Sequence, residues 1–172
     1  MKKAVIRDAR PSDLPHAAAL GAQIVRLHHA ANPKRFFMLD DPEQGYAWWL
    51  GRELERPEAV VLVAELNQCG SNEEASESNC EIVGFAYGAL EERDWSILVD
   101  RHGAFHDLCV AESVRRQGIG RDLAMAMLAR LTALGAPRIL LRAMVSNQSA
   151  QNLAKALGFL PTMLEMTREG DQ

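Results

Sequence analysis

The stretch that most constrains the fold is Val110-Ala-Glu-Ser-Val-Arg115-Arg116-Gln117-Gly118-Ile119-Gly120-Arg121, where a strand-like segment turns through Arg and Gly into an apolar-periodic one. Ala104 to Val110 has strand character. Leu123, Met127, Leu128, Leu131 and Leu134 then recur at helical spacing, so a helix begins near Gly118. The first turn of a helix leaves its N–H groups without intrahelical partners, and its partial positive charge favours an anionic group by about 0.3–1 kcal/mol. Glycines let a ligand approach the backbone, and Arg115, Arg116 and Arg121 add full charges around the same turn. The stretch predicts a strand–turn–helix site for a phosphorylated ligand; the plain alternative is an exposed Gly-rich turn with incidental arginines.

Two nucleotide patterns fail against these letters. Neither glycine begins or ends a G-x-x-x-x-G-K-[ST] loop, and a G-x-G-x-x-G fingerprint would need a small residue where Leu123 stands. A dinucleotide-dependent oxidoreductase, which NAD(P) would protect against thermal unfolding, is therefore not expected. The pattern present is R-x-x-G-x-G, carried by Arg115, Gly118 and Gly120, and it resembles the acyl-CoA pyrophosphate loop of the GNAT superfamily of N-acetyltransferases. Asn147-Gln-Ser-Ala150-Gln-Asn-Leu153-Ala154-Lys155-Ala156-Leu157-Gly158-Phe159 is similar to a second motif of that family, N-x-x-A-x-x-L-Y-x-x-x-G-F. Where the family often places a Tyr that protonates the departing CoA thiolate, this sequence has Ala154.

The resemblance covers residues 104–160 well and the remainder by element order. It implies an α/β chain with the GNAT fold: a mixed, mostly antiparallel central sheet of about six to seven strands, helices on both faces and a splayed strand pair that admits acetyl-CoA. It implies acetyl-CoA as co-substrate and no metal. The backbone of Leu108, Cys109 and Val110 would pair with the pantetheine arm like an added strand. Arg115, Arg116, Gln117, Gly118, Ile119, Gly120 and Arg121 would surround the pyrophosphate, and Asn147 would approach the pantetheine or its sulfur end. Leu108 and Val110 are equally ordinary core residues, and Asn147 equally suits a helix cap.

Composition agrees without adding the identification. At 172 residues and 48% hydrophobic, the chain can bury one sizeable core and reads as a single N-acetyltransferase domain, 1–172, with 104–160 as its acetyl-CoA-binding core. A net charge of −4 with scattered basic residues gives no footprint for nucleic acid. No apolar run reaches the ~18 residues of a membrane span, and the start is charged again before a signal-peptide core forms, so no membrane partner and a cytoplasmic location are expected. The cysteines, Cys69, Cys80 and Cys109, form no metal-like cluster, and a reducing compartment disfavours a structural disulfide. A homodimer is one arrangement open to the chain, whose oligomeric state the sequence does not decide.

The element order reads β-α-α-β-β-β-α-β-α-β. Ala4 to Arg7 is a short strand; Pro11-Ser12-Asp13 starts a helix with Leu14, Ala17, Leu20, Ile24 and Leu27 on its apolar face. Residues 43–56 form a second helix, stopped near Pro57; Val60 to Leu66 and Ile82 to Leu90 are neighbouring strands. Residues 67–80 between them are polar and acidic, a mobile hairpin insertion, with an acidic arm for a basic partner as the lesser reading. Arg138 to Val145 alternates as a strand, and Phe159 to Thr167 completes the sheet.

A thioester is already activated, so such an enzyme holds it beside a neutral amine, accepts a proton and stabilises the oxyanion, all in one ternary complex. The acceptor is then a primary amine of a small molecule or polypeptide. By the resemblance, Asp107, three residues before Val110 where several relatives carry an acidic residue, is the first candidate for the base, and His106 is the second by its imidazole. Adjacent strand residues face opposite sides, so at most one is expected to point into the slot. Either is equally read as a structural polar group, and a water chain ending on Glu91 or Glu92 is a third route. Cys109 reads as a small buried hydrophobe rather than a nucleophile. His28 and His29 suit a helix end, while Asp40, Asp41 and Asp94 suit either amine recognition or the surface. With Ala154 and no unambiguous base, a non-catalytic acyl-CoA-binding or sensing domain is the alternative function.

Overall fold

The computed structural model describes residues 4–67 and 80–170, so most of the expected insertion at 67–80, Cys69 included, lies outside the described residues. Strands β1 (Val5–Asp8), β2 (Ala59–Asn67), β3 (Cys80–Glu91), β4 (His102–Val110) and β5 (Ile139–Leu141) form one sheet in that spatial order. The pairings of β1 to β4 are antiparallel, and β5 joins β4 in parallel. Helices α1 (Leu14–Ala31) and α2 (Pro42–Glu53) follow β1; α3 (Ile119–Ala133) links β4 to β5; α4 (Gln148–Ala156) follows β5. The mixed, mostly antiparallel sheet with helices on both faces is thus as expected.

Alternation along β2 and β3 feeds two apolar layers. Leu62, Ala64, Val83 and Ala86 meet Leu123, Met127 and Leu131 of α3, while Val61, Val63, Phe85 and Tyr87 meet Ala17, Leu20 and Leu50 of α1 and α2. On the α3 side the packing depends on Gly88. A Cβ there would lie 2.8 Å from Met127 Sδ and 2.9 Å from the Ala104 carbonyl oxygen. The sulfur end can swing aside; the backbone oxygen cannot without disturbing the β3–β4 ladder. Gly88→Ala is therefore expected to lower stability by about 1 kcal/mol, the lower end for overpacking because strand propensity partly offsets the clash. Urea unfolding should show a lower midpoint at unchanged slope.

The structure corrects the strand count. Five strands form among the described residues rather than six or seven, and the β5 expected over 138–145 shrinks to three residues. After Leu141 the chain leaves the sheet because other partners take its carbonyls: the Gln151 amide donates to Met144 O (3.0 Å) and Val145 O (2.9 Å), and Asn147 N–H to Met144 O. Residues 159–167 form no strand either. Glu165 pairs with Arg35 at 2.6 Å and Glu169 with Lys34, which draws the segment toward the connection between α1 and α2. No helix among the described residues is long and apolar enough to cross a membrane.

Candidate functional site

The parallel pairing of β5 with β4 covers only Gly103↔Ile139, Ala104↔Leu140 and Phe105↔Leu141. Beyond Phe105, β4 runs on to Val110 without β5, so the two strands part there as the splayed pair predicted. His106, Asp107, Leu108, Cys109 and Val110 all lie on this unaccompanied stretch. Cys109 is buried, and burial pushes its thiol pKa up, which keeps it protonated.

The turn beyond Val110 leads into the first turn of α3. A short 3₁₀ turn, Glu112–Val114, leads to Arg115, whose Nε donates to Val110 O at 2.9 Å and ties the loop to the strand end. Arg116 sits at φ 65°, a left-handed conformation that costs a non-glycine residue about 1–3 kcal/mol. Gly118 caps α3 at φ 91°, where a side chain is disfavoured. Its carbonyl accepts from Arg121 and Asp122 N–H, whereas the N–H groups of residues 116 to 120 find no acceptor among the described residues. Arg115, Arg116, Gln117, Gly118 and Arg121 are exposed and Gly120 half-buried; only Ile119 turns inward, as part of the core against α3. Asn147 serves as the cap of α4, its side-chain oxygen accepting from Ala150 N–H at 3.0 Å. Ala154 is buried on that helix.

Around His106 the structure departs from simple alternation. Tyr87 pairs with Asp107 and Gly88 with Phe105, so β4 carries one extra residue, His106, as a bulge. The expectation that these adjacent residues face opposite sides, with at most one in the slot, gives way to two side chains that both contact the α1/α2 layer. His106 stacks on Tyr87 (centroids 5.2 Å apart, 18° between planes), and Asp107 Oδ2 accepts from Tyr46 OH at 3.1 Å. Tyr46 and Tyr87 belong to the α1/α2 layer, bridged by Trp49 at 5.4 and 4.7 Å. The bulge therefore brings imidazole and carboxylate to one face.

Burial raises the Asp107 carboxyl to about 6, against the Tyr46 hydrogen bond and the nearby His28, which both hold it down. Burial also lowers the His106 pKa, opposed by Glu91, whose Oε1 is 3.8 Å from Nε2. Behind them Tyr87 OH donates to the buried Glu53 carboxylate at 2.6 Å, and Arg56 pairs with Glu53 at 2.7 Å and reaches Glu91 at 3.9 Å. Burial, then the Glu53 hydrogen bond, raises the Tyr87 pKa, so its phenol is a proton donor throughout the neutral range. Glu53, Tyr87 and the polar role of Tyr46 were not singled out from sequence. Their only signal was a carboxylate on the inner side of a helix and tyrosines at core positions.

Most of the other expected acceptor-side residues have structural partners. His28 Nδ1 donates to Ile24 O at 2.8 Å and His29 Nδ1 to Phe36 O at 2.9 Å, since a carbonyl can only accept. Asp41 caps α2 through Gln44 N–H, and Asp94 accepts from Ser96 N–H and Oγ. Asp40 is exposed, and Glu92 lies 3.3 Å from Arg101. No group of three or more potential metal ligands occurs among the described residues.

A family model described as Acetyltransferase (GNAT) family matches residues 22–159. No curated protein matches. Among solved structures, a tetramutant of the BH1408 protein from Bacillus halodurans shares 21% identity, with 96% of this chain and 99% of that chain covered at a TM-score of 0.71. Aminoglycoside N-acetyltransferase AAC(6')-Iy in complex with CoA shares 17% identity, with 99% and 96% covered at 0.68. The aminoglycoside antibiotic 6'-N-acetyltransferase AAC(6')-IG from Acinetobacter haemolyticus shares 14%, with 97% and 99% covered at 0.64. At these identities the likeness is one of fold.

Proposed function

The chain belongs to the acetyltransferase (GNAT) family, and from that premise we propose that it transfers the acetyl group of acetyl-CoA to a primary amine of a small molecule or polypeptide. The observation that carries the reading is the run of N–H groups without acceptors at residues 116 to 120, set directly after the strand whose edge opens beyond Phe105. Such a run, at the start of a 15-residue helix with Arg115, Arg116 and Arg121 beside it, fits a pyrophosphate. The stretch Leu108, Cys109 and Val110 lacks β5 alongside it and would receive the pantetheine amides there, with the Val110 carbonyl already tied to Arg115 Nε. Asn147 caps α4 through its side-chain oxygen, which leaves its Nδ2 to approach the pantetheine or its sulfur end in this reading.

In this reading the amine nitrogen attacks the thioester carbonyl carbon as Asp107 accepts the nitrogen's proton. The tetrahedral intermediate collapses with cleavage of the C–S bond, and CoA leaves as thiolate. Ala154 has no proton to give, so water passes one to the thiolate as Asp107 returns the proton it took to that water. His106, with its pKa lowered by burial, is neutral near pH 7 and supports the same face.

Calorimetric titration should show acetyl-CoA binding to the purified chain, and an amine panel should release CoA thiol. Gly118→Val, which forces a β-branched residue into φ 91°, is expected to weaken acetyl-CoA binding at least about tenfold while leaving the core intact. Absence of binding to the parent chain would refute the proposal; binding without thiol release from any amine would favour the sensing domain.

A further inference from the structure

Parallel pairing ends with Phe105↔Leu141, so the next residues in register are His106 on β4 and Arg142 just past β5, at the point where the strands part. Arg142 is exposed and forms no ion pair or hydrogen bond among the described residues. Its charge still acts across the gap. Burial lowers the His106 pKa most, and Arg142 lowers it further, against Glu91 and Glu53. The same guanidinium helps to hold Asp94 and Glu165 low, after the larger effects of Ser96 and Arg35. Both of those carboxylates are engaged elsewhere: Glu165 holds Arg35 at 2.6 Å, and Asp94 accepts from Ser96 N–H and Oγ at 2.8 and 2.6 Å. Arg56, by contrast, already holds the buried Glu53 at 2.7 Å. One cation beside the proton-accepting face is therefore left with no anion in contact.

On the basis of the transfer reaction inferred above, we propose that the acceptor is a free amino acid, whose carboxylate Arg142 binds while its amine is presented to Asp107. A guanidinium donates two parallel hydrogen bonds to a carboxylate, which fixes orientation as well as charge. Asp107 follows His106 on the bulge, so the amine and carboxylate sites lie on opposite banks of the slot. Paired strands stand about 4.8 Å apart and further where they part, a gap that the arginine side chain and the few bonds between amine and carboxylate can span. An acceptor with a second ammonium at this place would meet the charge of Arg142 and be disfavoured.

The step balances on these groups. The amine nitrogen bonds to the acetyl carbonyl carbon, the C–S bond breaks, and the amine proton passes to Asp107 and then by way of water to the thiolate. The products are the N-acetyl amino acid and CoA thiol.

The standard amino acids, their amides and the corresponding decarboxylated amines, each offered with acetyl-CoA, test this by thiol release. At least one amino acid should be used about tenfold better in kcat/KM than its amide and its decarboxylated amine. A carboxylate makes its own amine more basic, so this preference cannot come from easier deprotonation. Arg142→Gln should raise KM for the acid about tenfold with kcat within about twofold, and remove the preference over the amide. Its thermal melt and acetyl-CoA affinity should match the parent, because Arg142 is exposed and unpaired. Arg142→Lys, which keeps the charge but not the fork, should fall between the two. Equal use of acid and amide by the parent, or loss of acetyl-CoA affinity in Arg142→Gln, overturns the carboxylate site. Calorimetric titration of the amino acids into the CoA complex reads that site without turnover. Binding that Arg142→Gln abolishes, with no thiol release from any amine, upholds the carboxylate site and refutes transfer; thiol release without preference for a carboxylate does the reverse.

Discussion

Asp107→Asn is expected to lower kcat/KM by about 10²- to 10⁴-fold, the usual contribution of a positioned general base, while acetyl-CoA affinity stays within about twofold. The amide matches the carboxylate in size and still accepts from Tyr46 OH, so the change removes a proton acceptor and little packing. Activity of the parent chain should rise with pH through about 6, the value to which burial lifts Asp107, because only the ionised form takes the amine's proton. The lower limb of the pH–rate profile should be absent in the Asn variant. The same shift has a stability consequence of opposite direction to the common carboxylate case. The folded chain binds the Asp107 proton more tightly than the unfolded chain, whose carboxyl titrates near 3.8, so this group's ionisation costs stability as pH rises from about 4 to 6. Asn at this position removes that penalty. A variant with full activity contradicts the assignment of Asp107 as base, and one that unfolds more readily at pH 7 than the parent contradicts the penalty that burial places on its ionised form.

What the sequence made legible and what it hid follow from how far apart the interacting residues lie. The Arg115 to Gly120 turn is local: the backbone geometry that leaves N–H groups free is written in adjacent glycines and in the start of an apolar-periodic helix. The layers on the sheet are legible too, since Leu123, Met127 and Leu131 repeat at helical spacing and face alternating residues of β2 and β3. The bulge at His106 is different. It is a property of the β3–β4 register, in which Tyr87 opposes Asp107 and Gly88 opposes Phe105, and no letter in β4 marks it. Strict alternation therefore separated His106 from Asp107, whereas the fold brings them to one face. The Tyr46–Asp107 and Tyr87–Glu53 contacts span 61 and 34 residues and were likewise silent. Phe159 to Thr167 failed for another reason: its letters suit a strand, but a strand needs a neighbour, and within one chain β5 does not receive it.

Gly21→Ala should disturb the proposed base, Asp107, through Tyr46. Gly21 lies within α1, and a Cβ there would stand 2.2, 2.4 and 2.6 Å from three ring carbons of Tyr46. That ring cannot simply swing away, because it packs edge-on against Trp49 at 5.4 Å and Phe85 at 6.3 Å. Alanine gains about 1 kcal/mol of helix propensity over glycine, but overpacking at such distances costs about 3 kcal/mol or more, so a net loss of about 2 kcal/mol is expected. Forcing the ring out also withdraws its hydroxyl from Asp107. That hydrogen bond lowers the carboxyl pKa, so its loss should move the acid limb of the pH–rate profile upward and reduce activity at pH 6 more than at pH 8. Tyr46→Phe separates the two effects. It keeps the ring and its packing, removes only the donor, and should shift the profile in the same direction with less than half of the stability loss. If Gly21→Ala destabilises the chain but leaves the profile where it was, Tyr46 fills space without tuning the base, and the close approach of α1 to α2 is structural alone.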